Sequence, residues 1–341
     1  LMASLDDAIL SVSPDLKIKF FNARMAHQFL ERAQTDLLQQ MEPVPLAQIM
    51  REPEILKLYQ MTLQTGETQM QSLRLHSLMH QQNRYFSVKV SPLREEKDSK
   101  IYGAMGLFHD VTELKKADQI RIEFVENASH ELRTPLTSIK GFVETAKEDL
   151  TAGRTEQLGS FLGIISKNVD RLTELVNDML TLTTLDADTA FKRELIQPQQ
   201  VTEEIVERLS PLANEKSLVI RMSFEASPFP GDLVKVEQVL ENLVSNAIKY
   251  IPNQRKIEIR WDEDSRFVRL HVIDDGPGIA DIHLGRLFER FYRVDKGRSR
   301  DVGGTGLGLS IVKHVMQSHG GTVQVKSEIG RGSEFICSFP K

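Results

Sequence analysis

One imidazole in this chain stands where a nucleophile can reach solvent. Val125, Ala128, Leu132, Leu136, Ile139, Val143, Ala146 and Leu150 recur at spacings of 3, 4, 4, 3, 4, 3 and 4. That spacing predicts an amphipathic helix close to a heptad. His130 lies two positions from both Ala128 and Leu132. At about 100° per residue it points roughly 200° away from Ala128, off the stripe that the helix should bury. Pro135 removes the amide that would bond the Glu131 carbonyl, so a kink is expected one turn later.

A second constellation asks for a ligand. Asn242, Asn246, Lys249 and Tyr250 sit at i, i+4, i+7 and i+8 and share one helix face. Val236, Val239, Leu240, Leu243 and Val244 form the opposite side. Amides, an ammonium and a phenol on such a face call for a polar ligand. Magnesium prefers oxygen and keeps most of its water, so one amide oxygen plus phosphate oxygens would suit it. Two glycine-rich runs follow, Asp274-Asp275-Gly276-Pro277-Gly278-Ile279 and Gly303-Gly304-Thr305-Gly306-Leu307-Gly308. Glycine opens a backbone to close approach, and a helix from about Leu307 to Ser318 would offer its amide end to phosphate. The second run is neither a P-loop nor a Rossmann fingerprint, since the Gly-Lys-Ser/Thr and the third glycine spacing are missing. A His-Arg-Asp catalytic loop is also absent.

Several elements must position these groups. Residues 1 to about 112 read as mixed α/β. A hairpin is predicted around Pro14-Asp15, a helix capped by Asn22 follows, and helical material around Leu46–Leu63 is interrupted by Pro53. Strands are predicted over Thr68–His76, Arg84–Leu93 and Ile101–His109, with the charged loop 94–100 as a solvated turn. From Thr112 one helix should run into the histidine helix and turn at Ala152-Gly153-Arg154. A second helix is predicted from about Thr155, with Leu158, Leu162, Ile165, Val169, Leu172, Val176 and Met179 at alternating spacings. Phe161, Leu175 and Leu182 widen that stripe beyond what one hairpin can cover, so two hairpins should pack as a four-helix bundle in a parallel homodimer. A linker should reach about Ala190. From Phe191 the pattern alternates helix and strand as an α/β sandwich. It includes a helix from Pro198, a long helix capped by Asp232, and a hairpin around Asp264-Ser265.

The run His130-Glu131-Leu132-Arg133-Thr134-Pro135-Leu136 resembles the H-box of sensor histidine kinases in two-component signalling. That resemblance implies that His130 accepts a phosphoryl group and that Glu131 takes the proton from the other ring nitrogen. It also implies that Thr134 helps orient water for phosphatase activity. The Glu241–Tyr250 string resembles the N-box of the gyrase, Hsp90, histidine kinase and MutL ATPase superfamily. By that likeness Asn246 is the magnesium ligand with Asn242 beside it, while Lys249 and Tyr250 contact phosphate and nucleotide. Asp274, Gly276 and Gly278 match the first glycine box, with Asp274 accepting from the adenine amino group. Asp275 replaces the asparagine more usual there. Residues 287–295 resemble the F-box and lid base: Phe288 and Phe291 would anchor the lid, and Arg293 and Lys296 would meet the phosphates. Gly304, Thr305, Gly306, Leu307 and Gly308 match the second glycine box. The first third resembles a PAS sensor domain, closing on an Asp110-Val111-Thr112 exit.

The implied organisation is multidomain α+β: a PAS domain over 1–112, a dimerisation and phosphotransfer hairpin over 113–190, and an ATP-binding α/β sandwich over 191–341. ATP and Mg2+ are the implied cofactors, and a second copy and a response regulator receiver domain the implied partners. A nucleotide-binding scaffold without phosphotransfer is the alternative. In the 341 residues, 40% are hydrophobic and 27% charged, which describes a globular protein. A net charge of −5 without basic blocks leaves no nucleic-acid footprint. The single Cys337 rules out an internal disulfide and fits a reducing, cytoplasmic setting. With no cysteine in the first third, a cysteine-adduct flavin is not expected there. No apolar run approaches the ~18 residues that span a bilayer, so a membrane would be met only through an anchor outside this chain.

Overall fold

The computed structural model describes residues 7–30, 44–95, 99–186, 192–294 and 304–341. They fall in two compact units, 1–123 and 124–341. In the first, β1 (Ala8–Val12) and β2 (Ile18–Phe21) form the expected hairpin. Asn22 caps α1 (Ala23–Phe29), its side-chain oxygen accepting from the Met25 N–H at 2.9 Å. Pro53 divides the next helical stretch. One short helix, α2 (Leu46–Ile49), ends before it, and α3 (Pro53–Thr65) begins on it, where a missing N–H costs nothing. β3 (Gln69–Ser77), β4 (Gln82–Arg94) and β5 (Ile101–Asp110) complete an antiparallel sheet in the order β2-β1-β5-β4-β3.

Helices close the apolar side of that sheet. Leu10, Phe86, Val88 and Phe108 share a core with Met25, Phe29, Ile55 and Tyr59. The Tyr59 hydroxyl, sealed inside, donates to the Leu10 carbonyl at 2.8 Å, and burial pushes its pKa up. No side chain larger than hydrogen fits at 106, because a Cβ there would collide with that hydroxyl. The Asp-Val-Thr exit is tied to the sheet: Arg84 donates to Asp110 at 2.7 Å, and the Thr112 hydroxyl accepts from the Tyr85 N–H at 2.9 Å.

α4 (Thr112–Thr151) then runs for 40 residues with Pro135 inside it, the continuous helix that the sequence predicts. It ends where Gly153 adopts φ 73°, a left-handed conformation that glycine takes without a Cβ penalty. α5 (Leu158–Asp186) starts three residues later than expected. The hairpin interior is stapled by Phe142 against Phe161, with ring centroids 5.7 Å apart, and by Arg171 donating to Glu131 at 2.9 Å.

One hairpin does not cover its own apolar stripe, in keeping with the width read from the sequence. Ala128, Phe161, Leu175 and Leu182 are buried, but Val125, Leu136, Val143 and Leu150 on α4 are 47–61% exposed. Leu162, Val169 and Val176 on α5 are equally open. Leu136, Val143 and Leu150 recur every seven residues, as do Leu162, Val169 and Val176. One hairpin uses one apolar seam for itself and leaves a second uncovered.

The remainder is a layered α/β body. A five-stranded sheet has the order β11-β12-β10-β9-β7. Its strands are β7 (Val219–Phe224), β9 (Lys256–Glu263), β10 (Phe267–Asp274), β11 (Thr322–Glu328) and β12 (Gly332–Pro340). Only β7 and β9 pair parallel. β6 (Glu194–Ile196) forms a separate ribbon with β8 (Phe229–Gly231), a strand too short for its pattern to be read in sequence. Three helices cover one face of the large sheet: α6 (Pro198–Glu215), α7 (Leu233–Tyr250) and, after the single turn α8 (Asp281–Leu284), α9 (Gly308–Ser318). Strand alternation sends Val268, Leu270 and Val272 into this core, and Trp261, Phe229 and Phe339 stack within it.

Trp261 is fully buried, yet its indole N–H donates to the Thr202 hydroxyl at 2.8 Å, and that hydroxyl donates to the Pro198 carbonyl. Replacing Thr202→Val keeps the shape and removes the acceptor. We expect a loss of about 1–3 kcal/mol for the stranded donor, read as a lower urea midpoint for the second unit's transition. An unchanged midpoint would contradict the assignment.

Candidate active site

α7 is held at one rotation. Val236, Val239, Leu240, Leu243, Val244, Ala247 and Ile248 are all buried. The Asp232 side chain caps its start by accepting from the Lys235 N–H at 3.3 Å. Its far end is capped from outside: the Lys216 ammonium donates to the carbonyls of Ile248, Lys249 and Ile251 at 2.7, 2.8 and 3.2 Å. Three donors meet three helix-end carbonyls, and the cation also suits the helix C-terminus. The opposite face of α7 therefore has a fixed direction. Asn242, Asn246, Lys249 and Tyr250 line a cavity of about 410 Å³.

The same cavity collects Asp274, Gly278, Tyr292, Arg293, Gly304, Thr305, Gly306 and Gly308. Asp274 is the last residue of β10, and its carboxylate accepts from the Gly276 N–H at 2.9 Å. Burial pushes this carboxyl above the usual range, against the pull of that N–H. Asp275 points elsewhere, accepting from the Lys256 N–H at 2.8 Å and so closing the strand edge. Gly278 has φ 70° with its open side against the Glu328 carbonyl, so the first glycine box is tight against the sheet as well as open to the cavity.

The second glycine box serves packing as much as ligand access. A Cβ at Gly308 would strike the Asn242 side-chain oxygen, so the glycine lets α9 approach α7 closely. Phe291 adopts φ 62°, its N–H donates to the Gly306 carbonyl at 2.9 Å, and its ring meets Phe124 at 5.7 Å. A left-handed phenylalanine costs on the order of 1–2 kcal/mol, so the surrounding contacts must hold it there.

Not every predicted residue is gathered. Gly276, Phe288, Phe291 and Leu307 do not line the cavity. Phe288 and Phe291 are partly buried against the core, and Leu307 is fully buried beneath it. Lys296 lies outside the described residues. On the hairpin, His130 is exposed, and the Thr134 hydroxyl donates to the His130 carbonyl at 3.3 Å. Glu131, which the resemblance makes the proton acceptor, pairs with Arg171. Two lining residues come from the hairpin itself. Glu174 accepts from Lys249 at 2.9 Å, and Asp178 accepts from the Thr305 hydroxyl at 2.6 Å. Burial pushes the Asp178 carboxyl up, partly offset by that hydroxyl. Neither belongs to a motif readable in the sequence, and nothing local marks them.

Three family models match the chain: PAS fold over residues 2–116, His Kinase A (phospho-acceptor) domain over 120–188, and Histidine kinase-, DNA gyrase B-, and HSP90-like ATPase over 231–341. With the sheet-and-helix unit, the histidine hairpin and the cavity in place, the chain belongs to the sensor histidine kinases of two-component systems. Among curated relatives it is 37% identical over 250 residues to the sensor histidine kinase WalK of Bacillus subtilis (strain 168), covering 72% of this chain and 41% of that protein. It is 31% identical over 282 residues to the sensor protein SrrB of Staphylococcus aureus (strain NCTC 8325 / PS 47), covering 82% and 47%. The chain thus spans under half the length of either relative. Among solved structures, the histidine kinase ThkA in complex with the response regulator protein TrrA matches over 100% of this chain and 97% of that one. Its TM-score is 0.53 at 23% identity, a likeness of fold. Among the described residues, no helix is long and apolar enough to cross a membrane.

An ionised Asp274 accepts from a bound amino group more strongly than a protonated one. Because burial raises its pKa, adenosine affinity should fall as pH drops through that raised value, before the ordinary aspartate range near ~3.9 is reached. Asp274→Ala should bind weakly and without that pH dependence. For folding the sign is reversed: the folded chain holds this proton more tightly, so ionising Asp274 costs stability as pH rises from the unfolded to the raised folded pKa. Calorimetric titration across pH checks the binding; a wild-type profile flat down to the ordinary range would refute it.

Proposed function

We propose that this chain is an ATP-dependent protein histidine kinase. ATP binds in the α7 cavity, His130 takes its γ-phosphoryl group, and the group then passes to an aspartate on the receiver domain of a response regulator. One observation carries the reading: the amide face of α7, Asp274 and both glycine runs, separated by up to 66 residues between Asn242 and Gly308, line one cavity. That cavity lies in the unit that also holds His130 on an exposed helix face.

The roles follow from the chemistry of each group. A ring nitrogen of His130 attacks the γ-phosphorus, and the bond from that phosphorus to the bridging oxygen of the departing ADP breaks. The proton on the other ring nitrogen goes to Glu131, which must first leave Arg171. Asp274 selects the adenine amino group, and Lys249, Arg293 and Lys296 offset phosphate charge. Asn246 would hold Mg2+. The donor set fits: Asn246 brings an amide side chain, with one oxygen donor, to the wall of a wide cavity. A cation that keeps its water and takes phosphate oxygens suits such a wall, where it would neutralise developing charge.

We divide the chain functionally into a PAS sensor at 1–112, the phosphotransfer hairpin at 113–190 and the ATP-binding domain at 191–341. The exposed seven-residue repeats on α4 and α5 support a homodimer in which two hairpins form a four-helix bundle. The receiver domain would dock beside His130, in the cytoplasm.

Incubation with magnesium and γ-labelled ATP should place acid-labile, base-stable label on the chain, lost in His130→Gln. ATP binding without label would favour a signalling scaffold. Mixing His130→Gln with Asn246→Ala chains tests the direction of transfer: label restored in the mixture means transfer between subunits.

Thr134 stands one turn from His130 with its hydroxyl at the helix surface. We expect Thr134→Ala to slow dephosphorylation of the partner regulator about tenfold or more, within the range of a lost positioning group, while autophosphorylation continues. An unchanged dephosphorylation rate would count against this role.

A further inference from the structure

A lysine assigned above to phosphate, and a threonine on the same cavity wall, already have anionic partners. Lys249 donates to Glu174 at 2.9 Å, and Thr305 in the second glycine box donates to Asp178 at 2.6 Å. Both carboxylates belong to α5, and both line the cavity. They stand at i and i+4, on the stripe that continues from Arg171 through Leu175 to Leu182.

This contact is built rather than incidental. Leu175 and Leu182 are 2% and 1% exposed and belong to the same core as α7 and α9. Gln238 on α7 donates to the Thr181 hydroxyl at 3.4 Å. On α4, Phe124 meets both the Phe291 ring and the Arg290 guanidinium, which sits 5.2 Å from its centroid. Apolar burial and ring contacts hold α5 against the cavity mouth, and the two carboxylates fall at its polar end.

We propose that Glu174 and Asp178 set the nucleotide affinity of this site by competing with phosphate for Lys249 and Thr305. A carboxylate and a phosphate oxygen ask the same of an ammonium or a hydroxyl, namely a charge-assisted hydrogen bond. The Thr305 hydroxyl has one proton to give, and Asp178 takes it; the Lys249 ammonium has three, but a phosphate brought beside it meets the Glu174 carboxylate, and the two anions repel. Polyphosphate must therefore displace the α5 carboxylates before it can seat fully, whereas an adenine and ribose without phosphate need not. The inference rests on the ATP reading of the cavity.

The test compares ADP with adenosine, in magnesium, on the full chain by calorimetry. Glu174→Gln, Asp178→Asn and the double variant remove charge while keeping side-chain shape. The double variant should bind ADP about tenfold tighter, the scale of one charge-assisted contact, with adenosine affinity unchanged. Equal ADP affinity in all four proteins overturns the inference and leaves the nucleotide reading intact. A parallel gain for adenosine also overturns it, because loosening of the whole domain would then be the cause. Weaker ADP binding overturns it in the other direction and makes the carboxylates ligands of the metal. If wild type and variants bind neither compound, the nucleotide reading itself fails. Melting curves of the four proteins establish that each is folded.

Discussion

The site depends on α7 being unable to turn. Seven buried apolar side chains fix its rotation against the sheet and α9. Asp232 and Lys216 fix its two ends. A helix that buries a stripe this wide has one favourable orientation, and a rotation of 100° would exchange Leu243 for Asn242 in the core. The cost of burying an amide without a partner, together with exposing a leucine, amounts to several kcal/mol. The cavity wall therefore follows from the core behind it. Asn242, Asn246, Lys249 and Tyr250 need no further device to converge.

Around that wall, backbone does much of the work. Gly278, Gly306 and Gly308 each press an open side against a neighbour: the Glu328 carbonyl, the Phe291 backbone and the Asn242 side chain. These glycines bring strand end, lid base and α9 within reach of one ligand. They explain why a run that reads as a phosphate loop also works as a packing seam. Leu307, in the middle of that run, is fully buried and clamps it from below.

What was legible in the amino-acid order is what depends on neighbours along the chain. Helical periodicity placed His130 on an outer face and the asparagines on a common one. Pro198 and the caps at Asn22 and Asp232 marked helix starts, and Pro53 marked a break that the structure makes the start of α3. The hairpin at Asp264 was readable because that side chain bonds the amides of Arg266 and Phe267, two and three residues on. Contacts between distant residues were not readable. Lys216 reaches carbonyls 32 to 35 residues away, and its own sequence context is an ordinary helix end. Glu174 and Asp178 look like solvated positions until tertiary packing brings Lys249 and Thr305 to them. β8 is three residues long, too short for alternation to show. The apolar stripe of the hairpin was seen, but its division into a covered and an uncovered seam needs three dimensions.

α5 consequently carries different loads on two faces of its circumference. One face meets α4 through Phe161 and Arg171. A second presents Leu162, Val169 and Val176 to solvent at seven-residue intervals. Further along, the first face continues through Leu175, Asp178 and Leu182 to α7 and α9. Adjacent positions such as Leu175 and Val176 lie about 100° apart on a helix, so the faces cannot turn independently. A rotation of α5 that improves the fit of its uncovered seam must shift Glu174 and Asp178 relative to Lys249 and Thr305. Packing along one side of a rigid helix and hydrogen bonding along another are thereby a single mechanical variable, and the occupancy of the cavity's donors is tied to how the hairpin packs.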